Sequence, residues 1–107
     1  MKKSVALMFA AVFAVQCLTA QVAEGIKLLH YEKNKSAKEV LQKNYDANSK
    51  DPQAIYWLGQ AFLAGNGIEV SKEDVAAAKA LYQKGLQELG SDAWLLVGMG
   101  HVELREG

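Results

Sequence analysis

The sequence predicts an all-α fold, and three observations support this prediction. From residue 22 onward, apolar residues recur at spacings of three and four, which places their side chains on one face of a helix. The chain contains one proline, Pro52. No segment alternates apolar and polar residues as a half-buried strand does. At 107 residues, the chain is long enough for one domain.

The segment 1–20 predicts a secretory signal peptide rather than a part of this fold. Lys2 and Lys3 form a basic start, an apolar run follows over 5–15, and Ala20 is a small residue at which a signal peptidase would cut. The apolar run is too short to span a bilayer. We therefore expect an exported protein, located in the periplasm or the cell envelope of a bacterium.

Cleavage after Ala20 would leave the segment 21–107, with 10 basic and 12 acidic side chains. A net charge of about −2 argues against a nucleic-acid partner, because phosphate binding needs a basic excess. Cys17 is the only cysteine and lies in the predicted signal, so the mature chain would have neither disulfides nor cysteine-bound metals. The bulky Gln16 argues against lipidation of Cys17, so we expect only indirect contact with a membrane.

Capping residues divide the segment 21–107 into five predicted helices. The first runs from Val22 to about Lys33. The second begins at Ser36, because Ser36 and Glu39 fit the capping box, in which a hydroxyl and a carboxylate each accept a backbone N–H. It ends in the polar stretch 46–50. The inward faces of these two helices carry Val22, Ile26, Leu29, Ala37, Val40, Leu41 and Tyr45.

The third helix is predicted from Pro52 to about Ala64. Asp51 supplies an N-cap acceptor, and a proline at the first helical position lacks a donor that would be unpaired anyway. The glycines of the run 65–67 end this helix, because glycine adopts the left-handed conformation that a helix C-terminus needs.

The fourth helix is predicted from Ser71 or Lys72 to Leu89, with a second capping box at its start and Gly90 just past its end. Ser91 or Asp92 caps the fifth helix, which runs from Ala93 to about Arg105. This last helix is apolar on every side, and such a helix is usually covered on more than one face.

Two kinds of internal similarity run through these helices. The segment 54–59 aligns with 93–98, and a weaker, earlier copy aligns Gly25 with Gly59. The second helices of the pairs share a small–large–small spacing, in Ala37, Leu41 and Asn44 and again in Ala78, Tyr82 and Gly85. Small residues allow helices to approach closely, and large ones fill the spaces beside them.

This pattern resembles the tetratricopeptide repeat family, whose helical hairpins of about 34 residues carry W-x2-L-G-x2-Y and A-x3-F signatures. The matching residues are Ile55, Leu58, Gly59 and Phe62 in one copy and Trp94, Val97 and Gly98 in the next. The turn after the third helix is longer than the family pattern and resembles that of Sel1-like repeats. The resemblance implies a right-handed α-solenoid of stacked antiparallel helical hairpins, with about two and a half repeats over 21–107.

The third hairpin has only its first helix within the sequence. Because terminal repeats need a polar outer face, we expect this chain to be the N-terminal part of a longer repeat protein. The alternative is that the exposed face of the fifth helix, with Leu95, Leu96 and Met99, pairs with another subunit.

The sequence predicts no catalytic, metal or cofactor site. His30 and His101 occupy different positions of different hairpins, and the mature chain has no cysteine. The glycine pair 65 and 67 follows no strand and precedes no Lys-Ser/Thr, so it is not a phosphate loop. The acidic residues at helix starts are explained by capping and the helix dipole.

The resemblance implies a concave groove, lined by the first helix of each unit, that grips a protein or peptide. The corresponding positions are Val22, Ile26 and His30 in the first unit, Gln53, Tyr56, Gln60 and Leu63 in the second, and Asp92, Leu95, Met99 and Glu103 in the third. This set lacks the Lys and Asn residues with which some family members clamp a C-terminal carboxylate. An extended segment or a helix is the expected ligand.

Two functions are compatible with these features. The first is a secreted, non-catalytic scaffold that mediates protein–protein interaction through the concave face. The alternative is an N-terminal accessory repeat domain of a larger envelope enzyme or signalling receptor. The sequence that follows residue 107 in the native gene would distinguish them.

Overall fold

The computed structural model describes residues 22–31, 33–66 and 69–107, and within these ranges the chain is helical and contains no strand. We number the helices α1 (22–30), α2 (Asn34–Ala47), α3 (Pro52–Ala64), α4 (Lys72–Leu89) and α5 (Ala93–Glu106). The predicted all-α class is confirmed. The predicted signal peptide lies outside the described residues.

Three helices begin at the predicted N-caps. The side chain of Asp51 accepts from the backbone N–H of Gln53 at 3.0 Å, and Ser71 accepts from Asp74 at the same distance. Asp92 accepts from the N–H of Trp94 at 2.8 Å. Each cap satisfies a helix donor that would otherwise be unpaired, which is why short-range sequence signals locate these starts.

The start of α2 differs from the prediction. The helix begins at Asn34, and its N-cap, Lys33, makes no capping hydrogen bond through its side chain, so the predicted capping box of Ser36 and Glu39 is wrong. The Asn34 amide instead donates to the carbonyl of Ala64 at 3.5 Å, which ties this helix start to the end of α3. The preceding helix ends at residue 30 rather than near Lys33.

Helix α3 is the central element of the bundle. It packs against α2, α4 and α5, and α5 also packs against α4. One core cluster lies among α3, α4 and α5 and includes Ile55, Tyr82 and Leu95. A second cluster joins Leu41 of α2 to Leu58 and Ala61 of α3.

The small–large–small triads of α2 and α4 are the buried residues of those helices. They are Ala37, Leu41 and Asn44 in α2, and Ala78, Tyr82 and Gly85 in α4. Each large member presses on a glycine of the preceding helix, because a Cβ on Gly25 would overlap Leu41 and a Cβ on Gly59 would overlap Tyr82. The ring of Tyr82 also contacts Gly98 of α5. The two triads therefore pack in the same way.

The predicted sequence alignment of α3 with α5 makes Gly98 the counterpart of Gly59. This alignment is wrong, because the paired residues differ in their burial. It pairs Leu58, which is 1% exposed, with Val97, which is 51% exposed. Aligning Gly59 with Gly100 instead pairs Ala54 with Leu95 and Ala61 with Val102, and all four of these residues are fully buried. The match of Trp94 and Val97 to the buried signature positions is therefore wrong.

We call the alignment of Gly59 with Gly100 the packing alignment. The same alignment places Leu41 of α2 on Tyr82 of α4, the two large residues of the triads. The offset between aligned residues is larger than the repeat period of about 34 residues, because the turn between α3 and α4 contains extra residues. The long turn thus shifts every later position along the chain without changing how the helices pack.

Candidate functional site

The residues predicted to line a concave groove fall into two groups. Leu63 is 3% exposed and Leu95 fully buried, and both belong to the core cluster of α3, α4 and α5. Tyr56 is buried as well, and its carbonyl accepts from the Tyr82 hydroxyl at 2.8 Å. Burial removes Leu95 and most of Tyr56 and Leu63 from any surface that a partner would touch.

The remaining predicted residues keep some exposed surface. On α1, Val22 and Ile26 are half-buried, and His30 is exposed. The others are Gln53 and Glu103, which are exposed, and Gln60, Asp92 and Met99, which are partly buried. Asp92 serves as the cap of α5, so its carboxylate is already engaged by backbone N–H groups.

A surface groove of about 430 Å³ lies between α3 and α5. Its lining residues are Gln60, Leu63, His101, Leu104 and Arg105. Gln60 and Leu63 belong to the predicted set, whereas the three residues from α5 do not. In the packing alignment, His101 corresponds to Gln60 and Arg105 to Ala64. If the offset between α3 and α5 had been lengthened by the extra residues of the long turn, the sequence alone would have assigned His101 and Arg105 to this face.

An aromatic cluster surrounds Tyr56 beside this groove. The centroid of its ring lies 5.0 Å from that of Trp57, 5.1 Å from that of Trp94 and 6.2 Å from that of His101. Tilted and edge-to-face arrangements at these separations are favourable. Trp94 is 39% exposed, so the cluster presents an indole at the surface. The groove and the cluster share His101 and form one continuous face of α3 and α5.

Hydrogen bonds hold the α3 side of the groove to α4. The amide of Gln60 donates to the Tyr82 hydroxyl at 3.1 Å, and that hydroxyl donates to the carbonyl of Tyr56. Burial raises the pKa of Tyr82 well above its usual value, with the hydrogen bond from Gln60 acting in the opposite direction. Burial also raises the pKa of Tyr56. Tyr82 therefore stays a neutral donor and fixes the position of Gln60.

Arg105 supplies the charge of the groove. Its side chain is exposed and forms no ion pair with any residue in the described ranges. The neighbouring Glu106 is engaged by Lys79, with 3.1 Å between their charged atoms. The groove thus combines the exposed side chain of Leu104 and a small exposed part of Leu63 with the cation of Arg105. This combination suits an apolar side chain followed by an acidic group.

A second, larger concavity of about 810 Å³ lies at the N-terminal end of α2. It is lined mainly by lysines and polar residues, including Lys33, Lys35 and Lys38. Lys38 is already engaged, because its ammonium lies 3.7 Å from the Asp74 carboxylate and 4.7 Å from the centroid of the Phe62 ring. No apolar side chain of the described residues lines this concavity, so its surface is formed by lysine stems and polar groups.

Within the parts of the chain that the structure describes, no group of three or more His, Cys, Asp or Glu side chains is arranged to hold a metal ion. None of the helices in these same parts combines the length and the hydropathy needed to cross a membrane. Comparisons with protein-family models, curated proteins and solved structures gave no match.

Proposed function

We propose that this chain is an exported, non-catalytic scaffold that binds a protein segment in the groove between α3 and α5. The observation that carries the proposal is the groove itself, with the exposed Leu104, a surface tryptophan and a cation that no described residue neutralises. Export rests on the basic start and the apolar run within the segment 1–20.

We propose further that the helices form a tetratricopeptide-like right-handed α-solenoid. The support is that the buried triads of α2 and α4 coincide, residue by residue, with the small–large–small spacing read from the sequence. In such an arrangement α3 and α5 are the first helices of successive units, which places the groove on the concave face.

The chemistry of the groove specifies the ligand class. The exposed side chain of Leu104 offers apolar contact, and the exposed guanidinium of Arg105 favours a carboxylate, because a guanidinium and a carboxylate can form two parallel hydrogen bonds. The indole of Trp94 extends the apolar surface along the same face. We therefore propose a peptide segment in which an acidic residue follows an apolar one.

Selection of peptides from a random peptide library on the immobilised chain tests this proposal. We expect selected sequences to share an acidic residue beside an apolar one. Arg105→Ala should weaken their binding by at least about tenfold, since a charge-assisted contact is lost. Fluorescence anisotropy of the labelled peptides measures the change.

Lys84→Ala is the matched control, because it removes one positive charge from an exposed site on α4 away from the groove. Its peptide affinity should equal that of the unmodified chain. Selected peptides without an acidic residue, or equal affinity for the Arg105→Ala and Lys84→Ala variants, would contradict the proposed site.

The alternative function, an accessory domain of a larger envelope enzyme or signalling receptor, is favoured by one observation. The outer face of α5 exposes large apolar side chains, as a surface that meets a further domain would. Sequencing the native gene past the codon for Gly107 distinguishes the two. Further helical repeats support the scaffold, whereas a change to strands or catalytic motifs supports the accessory role.

A further inference from the structure

Helix α5 has an apolar face that no described helix covers. Leu96 and Val97 are each 51% exposed, and Leu104 is 80% exposed. These residues lie on one side of the helix together with Gly100, since they are separated from it by three or four positions. The face borders the groove at Leu104 but is centred on Gly100, on a different side of α5.

Gly100 is unusual among the glycines inside the helices. Gly25, Gly59, Gly85 and Gly98 each lie where an added Cβ would press on a neighbouring side chain. At Gly100, no heavy atom of the described residues lies within 4 Å of the position that a Cβ would take. Glycine weakens a helix interior relative to alanine, and nothing packed within the described chain accounts for it here.

The packing alignment shows what Gly100 corresponds to. Gly25 receives Leu41, and Gly59, at the equivalent place of the next hairpin, receives Tyr82. Gly100 aligns with Gly59 and is the third member of this series. Each earlier member is the point at which a large side chain of the following helix meets the backbone.

The residues around Gly100 follow the same correspondence. The α3 residues that face α4 and its core cluster are Ile55, Tyr56, Gly59 and Leu63, which align with Leu96, Val97, Gly100 and Leu104. The α3 residues that pack against Leu41 of α2 are Leu58 and Ala61, and their counterparts Met99 and Val102 are packed against the core or buried. The bare face of α5 is thus the equivalent of the α3 surface that receives α4.

From this geometry we infer that the bare face of α5 docks a partner helix with a small–large–small face. In such a helix, the large residue lies four positions after one small residue and three positions before another. The large residue packs on Gly100 as Leu41 packs on Gly25 and Tyr82 on Gly59. His101 stands where Gln60 stands, so a tyrosine on the partner helix would direct its hydroxyl toward this imidazole.

A second copy of this chain fits the face poorly. Its two helices with the required pattern, α2 and α4, already bury that pattern against their neighbours. The partner helix must therefore come from outside the described residues. The groove and this face share Leu104, but they are tested separately, the groove with Arg105→Ala and this face with Gly100→Leu.

A synthetic peptide with the sequence 69–91 is the probe, since it carries the triad of α4. Anisotropy of the fluorescein-labelled peptide should show saturable binding to the full chain. A peptide with the Tyr82→Ala change should bind at least about tenfold more weakly. The chain variant Gly100→Leu should lose at least about tenfold in affinity, because its side chain fills the space that the tyrosine ring would occupy.

Ala80→Leu is the matched control, as it adds the same side chain to an exposed position of α4. Leu96→Lys, on the exposed face, is a second disruptive variant if Gly100→Leu loses its helical circular dichroism. No saturable binding, or equal binding by the Gly100→Leu and Ala80→Leu chains, would overturn the inference. Sedimentation that shows a dimer of the unmodified chain, lost in the Gly100→Leu chain, would make a second copy the occupant and would also overturn it.

Discussion

Replacing Gly59 with alanine places a methyl group against Tyr82, where it overlaps the ring carbon Cζ and the hydroxyl oxygen and lies 2.7 Å from Cε1. The ring has no room to withdraw, because it is fully buried and the same ring carbons, Cε1 and Cζ, also lie against Gly98. Overpacking of this kind costs about 3 kcal/mol when the neighbour is confined. Alanine offsets about 1 kcal/mol of this through its higher helix propensity. The free energy of unfolding should therefore fall by about 2 kcal/mol.

The matched variant is Gly100→Ala, which makes the same chemical change where no described atom lies in the way. Its free energy of unfolding should rise by about 0.5–1 kcal/mol, because only the helix-propensity gain remains. Urea unfolding followed by circular dichroism measures both variants. If the two substitutions changed stability in the same direction, the close packing of Tyr82 on Gly59 would be refuted.

Three further predictions follow from the described contacts. Tyr82→Phe removes two hydrogen bonds and leaves the Gln60 side-chain amide without its acceptor, so the free energy of unfolding should fall by about 1–3 kcal/mol. A thermal melt measures the change, and an unchanged melting temperature would contradict this prediction. Burial raises the pKa of Tyr82 above the unfolded value of 10.0, so the unfolded state loses this proton first and the free energy of unfolding falls as the pH rises above that value. Urea unfolding from mildly to strongly alkaline pH should therefore show a steeper fall in this free energy for the unmodified chain than for Tyr82→Phe. Equal slopes would count against the buried hydroxyl. Asp92→Ala removes the cap of α5 and should cost about 1 kcal/mol, whereas Asp92→Asn should retain most of the stability in the same denaturation assay.

Local chemistry made much of the fold predictable from sequence. The starts of α3, α4 and α5 follow from Asp51, Ser71 and Asp92, whose side chains bond to backbone N–H groups two or three positions away. The start of α2 was not predictable in this way. It depends on Asn34 and the carbonyl of Ala64, which are far apart in the chain.

The candidate site was harder to predict than the helices. Helix α5 is apolar on every side, so its periodicity does not indicate which residues face the core. Aligning its glycine at 98 with Gly59 assigned the wrong face to the groove, placed the buried Leu95 there and overlooked Arg105. The choice between Gly98 and Gly100 depends on tertiary packing, which a single sequence does not contain.

The position of Tyr82 between Gly59 and Gly98 has a consequence for how this sequence can change over evolutionary time. With tyrosine at position 82, a single substitution of either glycine by a larger residue should destabilise the fold, because the same ring lies against both glycines. A smaller side chain at position 82, such as the leucine at the equivalent position 41, would relax both restrictions at once. The effects of mutations at these three positions are therefore expected to be strongly non-additive. In related sequences, the size of residue 82 should covary with the identities of residues 59 and 98, although these two glycines lie on different helices.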